Sequence, residues 1–225
     1  MTQSMEQSNP NRAKEKGGSL SPARNDPAAA GSLRAAERVA SELRRGGFQA
    51  YFVGGCVRDL LRGAEPKDYD IATDARPEQV LDLFPRALAV GAQFGVVGVL
   101  EGEQRVEVAT FRNDGLYSDG RRPDEVQYST NPREDVLRRD FTVNGLLLDP
   151  LTGKVLDFVE GRRDLSRRVI RAIGNPERRF EEDRLRMLRA VRFAAALEYE
   201  IEPETFAAIR RLSSKIATVS AERAR

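Results

Sequence analysis

No histidine occurs among the 225 residues. That absence removes histidine general bases, serine–histidine triads and imidazole metal ligands together, so any catalysis must rest on carboxylates, arginines and metal ions. Cys56 is the one cysteine, which excludes an internal disulfide and any zinc site built from cysteines. No apolar run has the length a membrane crossing demands, and the N-terminus lacks an apolar signal core, so no membrane partner and a cytoplasmic location are the default expectations. Lysine is scarce: Lys14, Lys16, Lys67, Lys154 and Lys215 are the only ones among 37 basic residues, the rest being arginine. Arginine's planar fork grips phosphate in two places where lysine acts as a point charge. A high-arginine genome would produce the same excess, and the formal net charge is only +2, so charge alone does not establish a nucleic-acid partner. Hydrophobic residues at 40% and charged residues at 32% allow a core beneath a highly charged surface, in one large domain or two small ones.

What is present concentrates in Val53 to Asp74, VGGCVRDLLRGAEPKDYDIATD. A double glycine ends an apolar strand, an arginine-bearing helical turn follows, and Asp68 and Asp70 open a second apolar run. Side chains alternate along an extended strand, so these two carboxylates point the same way. Side by side in a cleft they repel unless a cation lies between them, and Mg²⁺ is held by one or two carboxylates while sharing phosphate oxygens. The Gly54-Gly55 turn lets the backbone approach a phosphate, and its N–H groups suit one. The segment reads as a phosphoryl-transfer site.

Met1 to Gly31, poor in large apolar residues, reads as a disordered leader. Ser32 caps a helix through Leu33, Val39 and Leu43 that stops at Gly46-Gly47. A strand over Phe48 to Val53, a helix over Cys56 to Arg62, a strand over Tyr69 to Thr73 and a helix opened by Pro77 follow. Val96 to Leu100 and Arg105 to Phe111 form a hairpin, as do Leu146 to Asp149 and Val155 to Phe158. Asn113 to Asp124 is a long polar loop, more often functional than a mere connector, and Glu125 to Ser129 reads as another strand. After about Gly161 the pattern turns helical. Phe180 to Leu197 reads as a single helix with Leu185, Leu188, Val191 and Ala195 on its apolar face. Ser220 resembles a helix cap with only five residues after it, so the chain reads as cut where a further helical region begins.

Further candidates accompany the acidic pair. Glu107 is a charge in the apolar strand RVEVATF; it either pairs with Arg105 on the same face or acts as a third carboxylate. Arg58 lies three residues past Gly55, near the phosphate turn or in a surface ion pair. In Arg138-Arg-Asp-Phe-Thr-Val-Asn144, either Phe141 and Val143 are buried under a charged face, or Arg139 reaches a nucleotide while Asp140 fixes a neighbouring cation and Asn144 supports it. Asp183 and Arg186 are three apart on a helix, forming either a surface ion pair or a base reader. An acceptor beside a donor matches the amino and ring-nitrogen edges of cytosine and adenine and rejects guanine and uracil. Arg189 and Arg192 continue at steps of three and drift around the helix.

Together GGCVRD, KDYDIATD, VEVATFR, DGRRPD, RRDFTVN and EDRLRMLRAVRF resemble the bacterial-type class II tRNA nucleotidyltransferase and poly(A) polymerase family, from about Phe48 to the C-terminus. The resemblance implies an α+β fold: a polymerase-β-like nucleotidyltransferase head with a small mixed β-sheet, followed by an all-α neck. With the leader over 1–31, that places the head at 32–160 and a truncated neck at 161–225. It implies two Mg²⁺ ions held by Asp68 and Asp70, with Glu107 as third catalytic carboxylate. Nucleotide contacts are implied for Gly55, Arg58, Arg139, Asp183, Arg186, Arg189 and Arg192. The implied reaction is template-independent addition of C, A or both to the 3′ end of tRNA from CTP and ATP. A poly(A) polymerase is the alternative within the family, and a non-catalytic RNA-binding or nucleotide-binding module the alternative outside it. Arg184 and Gly145 stand where the family usually has proline and alanine.

Overall fold

A computed structural model describes residues 27–89, 91–114 and 126–218. The chain begins with α1 (Pro27–Arg45), then β1 (Ala50–Val53), α2 (Gly55–Leu61), β2 (Asp70–Thr73) and α3 (Pro77–Leu83). β3 (Ala87–Leu88), β4 (Val96–Glu101) and β5 (Gln104–Thr110) come next, followed by β6 (Arg112–Asp114), β7 (Val126–Tyr128) and α4 (Pro132–Leu137). β8 (Leu146–Leu148) and β9 (Val155–Asp157) lead to α5 (Gly161–Arg167), β10 (Val169–Ile170), α6 (Pro176–Glu182), α7 (Leu185–Leu197), β11 (Glu200–Ile201) and α8 (Pro203–Leu212).

Seven strands form one mixed sheet in the order β3-β4-β5-β2-β1-β8-β9. Its centre is β2, parallel to β5 and antiparallel to β1. Alternation along these strands sorts residues onto two faces. Phe52, Ile71, Val106 and Val108 pack with Ala36, Val39 and Leu43 of α1 in the larger core. Val53, Ala72, Phe111 and Leu147 meet Val136 of α4 on the opposite face. A separate core joins Ile170, Phe180, Met187, Ala190, Ala208 and Ile209, with Phe141 and Val143 contributed from ahead of Gly161. The helical region also contains a two-residue parallel pair, β10 with β11.

Three local expectations need correction. α1 starts at Pro27 rather than after Ser32. Proline suits a first helical position and Ala28 to Ala30 are good helix formers, while the Ser32 hydroxyl donates instead to Gln104 Oε1 at 2.9 Å. Phe180 to Leu197 is two helices. Asp183 is extended (φ −143°, ψ 108°) and its carboxylate accepts from Leu185 N at 3.0 Å, a side-chain bond that ends α6 and starts α7. The break shifts the buried stripe: Met187 and Ala190 are enclosed, whereas Val191 is 52% exposed. Finally, Asn113 and Asp114, the start of the expected polar loop, belong to a strand, Arg112–Asp114, paired with Val126–Tyr128. The rest of that loop, including all of DGRRPD, and the Ser220 cap lie outside the described residues. Among the described residues no helix is long and apolar enough to cross a membrane.

Candidate active site

The acidic residues gather on the sheet face away from α1. Tyr69 is buried between exposed Asp68 and Asp70, and its ring packs on Phe52 at 5.2 Å. Only Asp70 belongs to β2; Asp68 lies just ahead of it. Asp70 shares the face of Ala72 and stands in register beside Glu107 of parallel β5, so the two carboxylates are cross-strand neighbours. Glu107 also meets Arg105 Nη2 at 3.4 Å, an open contact with both side chains about half exposed. Both readings of Glu107 are therefore present in the geometry, since a solvent-exposed pair of this length ties the carboxylate weakly.

Asp70 keeps an edge to solvent yet is closely walled by protein. Loss of water, then the charges of Glu107 and Asp68, push its carboxyl up to about 6, against an opposing pull from Arg139. A carboxyl held this far above its ordinary value marks a functional-site candidate. Beneath it Cys56, 4% exposed, donates to the Val53 carbonyl at 3.2 Å, and burial pushes its thiol up to about 11.

The glycine turn faces the acids with arginine on either side. Gly54 adopts φ 78°, ψ −133°, a conformation that side chains avoid. A methyl group added there would lie 3.9 Å from Arg139 Nη1, and one on Gly55 would lie 3.5 Å from Arg58 Nη2. Arg58 is 9% exposed. It forks onto both Asp59 oxygens at 2.9 Å and donates to Asn144 Oδ1 at 2.9 Å. Arg139 is held by Asp135, whose carboxylate is 1% exposed and also takes Arg138. Burial works to raise the Asp135 carboxyl, but the two guanidiniums and their hydrogen bonds prevail and hold it below the usual range.

Asp140 Oδ2 receives Arg189 at 2.8 Å, and its Oδ1 takes the Phe141 N–H and the Asn144 amide. A continuous polar chain thus runs from Arg189 through Asp140 and Asn144 to Arg58. Arg192 is exposed on the same helix.

Asp183 and Arg186 do not sit as one surface pair along a continuous helix, because Asp183 precedes α7. Arg186 is 9% exposed. Its Nη1 reaches Glu182 at 2.7 Å and the Arg179 carbonyl at 3.0 Å, and its Nη2 reaches the Arg138 carbonyl at 3.1 Å. These bonds leave two of the five guanidinium N–H groups without a partner among the described residues. Asp135 and Glu182 are the residues that sequence reading missed. Both lie three or four positions from the arginines they hold, a spacing that could have flagged them.

Comparison with known proteins follows the same lines. Residues 50–171 match the family described as the Poly A polymerase head domain, and residues 198–225 match a probable RNA and SrmB-binding site of polymerase A. The CCA-adding enzyme of Enterococcus faecalis is 47% identical over 191 residues, covering 85% of this chain and 47% of that protein. That of Lactococcus lactis is 45% identical, covering 84% and 47%. The crystal structure of the Bacillus stearothermophilus CCA-adding enzyme in complex with CTP superposes with a TM-score of 0.79 at 40% identity, covering 88% of this chain and 47% of that one. The Thermotoga maritima enzyme complexed with tRNA gives 0.68 at 25% identity, covering 90% and 46%. The chain thus spans about half the length of the relatives it matches.

Proposed function

Because this chain belongs to the poly(A) polymerase head-domain family of class II nucleotidyltransferases, we propose that it is the head and neck of an enzyme that adds C, A or both to the 3′ end of tRNA, consuming CTP and ATP and releasing pyrophosphate. The observation that carries this reading is the placement of Asp70 beside Glu107 across from Arg58 and Arg139, with Gly54 and Gly55 between the arginines. Acids to handle the attacking hydroxyl and cations to hold a triphosphate then lie around one glycine turn, with Arg139 close enough to act on the Asp70 carboxyl. Relatives that bind CTP and tRNA by their own descriptions share the architecture. We further assign the head to the chain from the start of α1 at Pro27, rather than from 32, to 160, with the leader ahead of it and the neck at 161–225, and place the enzyme in the cytoplasm.

Asp68 and Asp70, with Glu107 beside them, fit a divalent cation. All donors are hard oxygens, and a cation would offset both the lost hydration and the neighbouring negative charge that raise the Asp70 carboxyl. Among the described residues no group of three or more Asp, Glu, His or Cys side chains is placed to hold a metal ion, so Asp68 and Asp70 would hold it as a pair with substrate oxygens supplying the remaining positions. Two Mg²⁺ ions, when bound, would lower the pKa of the 3′ hydroxyl and stabilise the leaving oxygens.

The protein's own groups divide the remaining work. Arg58 and Arg139 hold the triphosphate over the glycine turn. The hydroxyl attacks the α-phosphorus and the bond to the pyrophosphate oxygen breaks in line with it. Asp183 accepts from the amino group of cytosine or adenine, and the two uncommitted Arg186 N–H groups donate to the ring-nitrogen side. Guanine and uracil present the reverse order and leave these groups unpaired. Arg189, already paired with Asp140, and Arg192 stand further along α7 in support of the nucleotide.

The test is incorporation of labelled CMP and AMP by the full-length protein into tRNA ending before CCA, followed by sequencing of the 3′ ends. Ordered C and A on tRNA supports the proposal. Long A tracts on generic RNA would make it a poly(A) polymerase. Undiminished incorporation by Asp70→Ala would remove the catalytic reading.

A further inference from the structure

One aromatic ring on α7 collects cations from both the sheet-bearing head and the helical region. Phe193 is half-buried and meets Phe141 edge-on, with ring centroids 5.9 Å apart and planes at 83°. The guanidinium carbons of Arg58, Arg189 and Arg192 lie 5.5, 5.1 and 5.6 Å from its centroid. Each is within the roughly 6 Å over which a ring quadrupole attracts a cation. Arg58 comes from α2, beside the glycine turn, whereas Arg189 lies one helical turn before Phe193 on α7.

Three like charges around one ring need compensation. Two have it at their edges: Arg58 from Asp59 and Arg189 from Asp140. The ring attracts the guanidiniums without offering a hydrogen-bond acceptor, so it fixes their position and uses up none of their N–H donors. Phe193 itself has no group with which to bind a triphosphate. The Arg189–Asp140–Asn144–Arg58 chain runs between the same two arginines. Ring and polar chain therefore join one pair of cations by two separate routes.

We propose that Phe193 is a positioning residue: its ring holds Arg58 in place against Arg189, so that the nucleotide-binding cations are set before substrate arrives. This rests on the reading that Arg58 meets the triphosphate. Pre-setting lowers the ordering cost of binding, so the effect falls on nucleotide affinity rather than on the chemical step. It falls equally on CTP and ATP, because Asp183 and Arg186 are untouched by it.

The test uses the full-length protein and compares wild type with Phe193→Leu, Phe193→Tyr, Arg58→Lys, and Phe193→Leu combined with Arg58→Lys. CTP and ATP binding is measured by calorimetry, and KM and kcat by CMP and AMP incorporation. Phe193→Leu should weaken both nucleotides alike by about tenfold and raise KM with kcat nearly unchanged. Phe193→Tyr, which keeps the π face, should stay close to wild type. On the Arg58→Lys background the leucine change should add little. The proposal is overturned if Phe193→Leu binds as tightly as wild type, if tyrosine is as damaging as leucine, or if the two losses multiply. Should Phe193→Leu fail to fold by circular dichroism, Phe193→Met takes its place under the same criteria. Failure of both to fold would show that the ring serves packing alone and would also overturn the proposal. A wild-type protein that binds CTP but incorporates nothing would remove the catalytic reading and leave this one standing.

Discussion

Arg186 donates to the backbone carbonyl of Arg138 at 3.1 Å. The residue proposed to read the base is thereby tied to the neighbour of Arg139, the residue proposed to hold the triphosphate. Arg179 donates to the same carbonyl at 3.0 Å, so two guanidiniums from α6 and α7 converge on one oxygen of the segment after α4. Base selection and phosphate binding share a backbone anchor.

Arg186→Lys should lose that anchor and the planar donor pair together, since an ammonium cannot reproduce the fork. The expected result is a drop in discrimination against GTP and UTP of about tenfold or more, with the fold retained by circular dichroism. Misincorporation measured with each nucleotide offered alone checks it; unchanged selectivity would remove Arg186 from the base-reading role.

Asp135→Asn keeps the side-chain shape but removes the charge that holds Arg138 and Arg139. Breaking a buried ion pair on one side costs about 3–5 kcal/mol, and a carboxylate 1% exposed with two guanidiniums upon it falls in that class. Denaturant melts should show the loss, and nucleotide KM should rise because Arg139 is no longer fixed. The folded-state carboxyl is held below its ordinary value. Its stabilisation is therefore present above the unfolded pKa and disappears as pH falls through the depressed folded value. Asp135→Asn should show less acid sensitivity than wild type.

Asp70 behaves in the opposite sense. Its folded-state carboxyl is pushed up to about 6 from an ordinary 3.8, so the folded protein holds more protons than the unfolded one between these values. Stability should therefore fall as pH rises from about 4 to 6 in the absence of divalent cations. Asp70→Asn should flatten that slope and melt higher at neutral pH. Mg²⁺ should raise the wild-type melting temperature more at pH 7.5 than at pH 5, where protons compete for the carboxylate. Thermal melts across pH with and without Mg²⁺ decide it; a slope unaffected by Asp70→Asn would contradict the assignment.

The two departures from the family pattern should respond differently to reversal. A methyl group at Gly145 would lie 2.9 Å from Val159 Cγ2 and 3.0 Å from Ile173 Cδ1. Gly145→Ala should thus cost about 1 kcal/mol as these side chains shift. Arg184 has φ −62° and follows an extended residue, Asp183, a backbone proline accepts. Arg184→Pro should leave stability within about 1 kcal/mol of wild type. Paired denaturant melts test both.

The sequence revealed the site's parts more readily than their arrangement. The Gly54-Gly55 turn, the exposed–buried–exposed step from Asp68 to Asp70 and the β4–β5 hairpin all follow from local patterns of period two and from glycine chemistry. That β2 lies parallel to β5, bringing Glu107 beside Asp70, depends on a long-range pairing that no local pattern encodes. The α6–α7 break was hidden because both pieces keep a helical period. One Asp183 hydrogen bond interrupts it, and whether a side chain turns back on its own backbone is decided by surroundings. Asp135 and Glu182 went unnoticed for a related reason: an acid near an arginine on a helix is usually a solvated surface pair, and only packing turns it into a buried clamp.

The enclosed thiol of Cys56 has a practical use. Reagents that attack thiolates find almost none of it ionised near neutrality and almost no path to it. A second cysteine engineered onto the solvent side of α8 would therefore take a maleimide dye alone. Fluorescent reporters of motion could then be attached without first building a cysteine-free background.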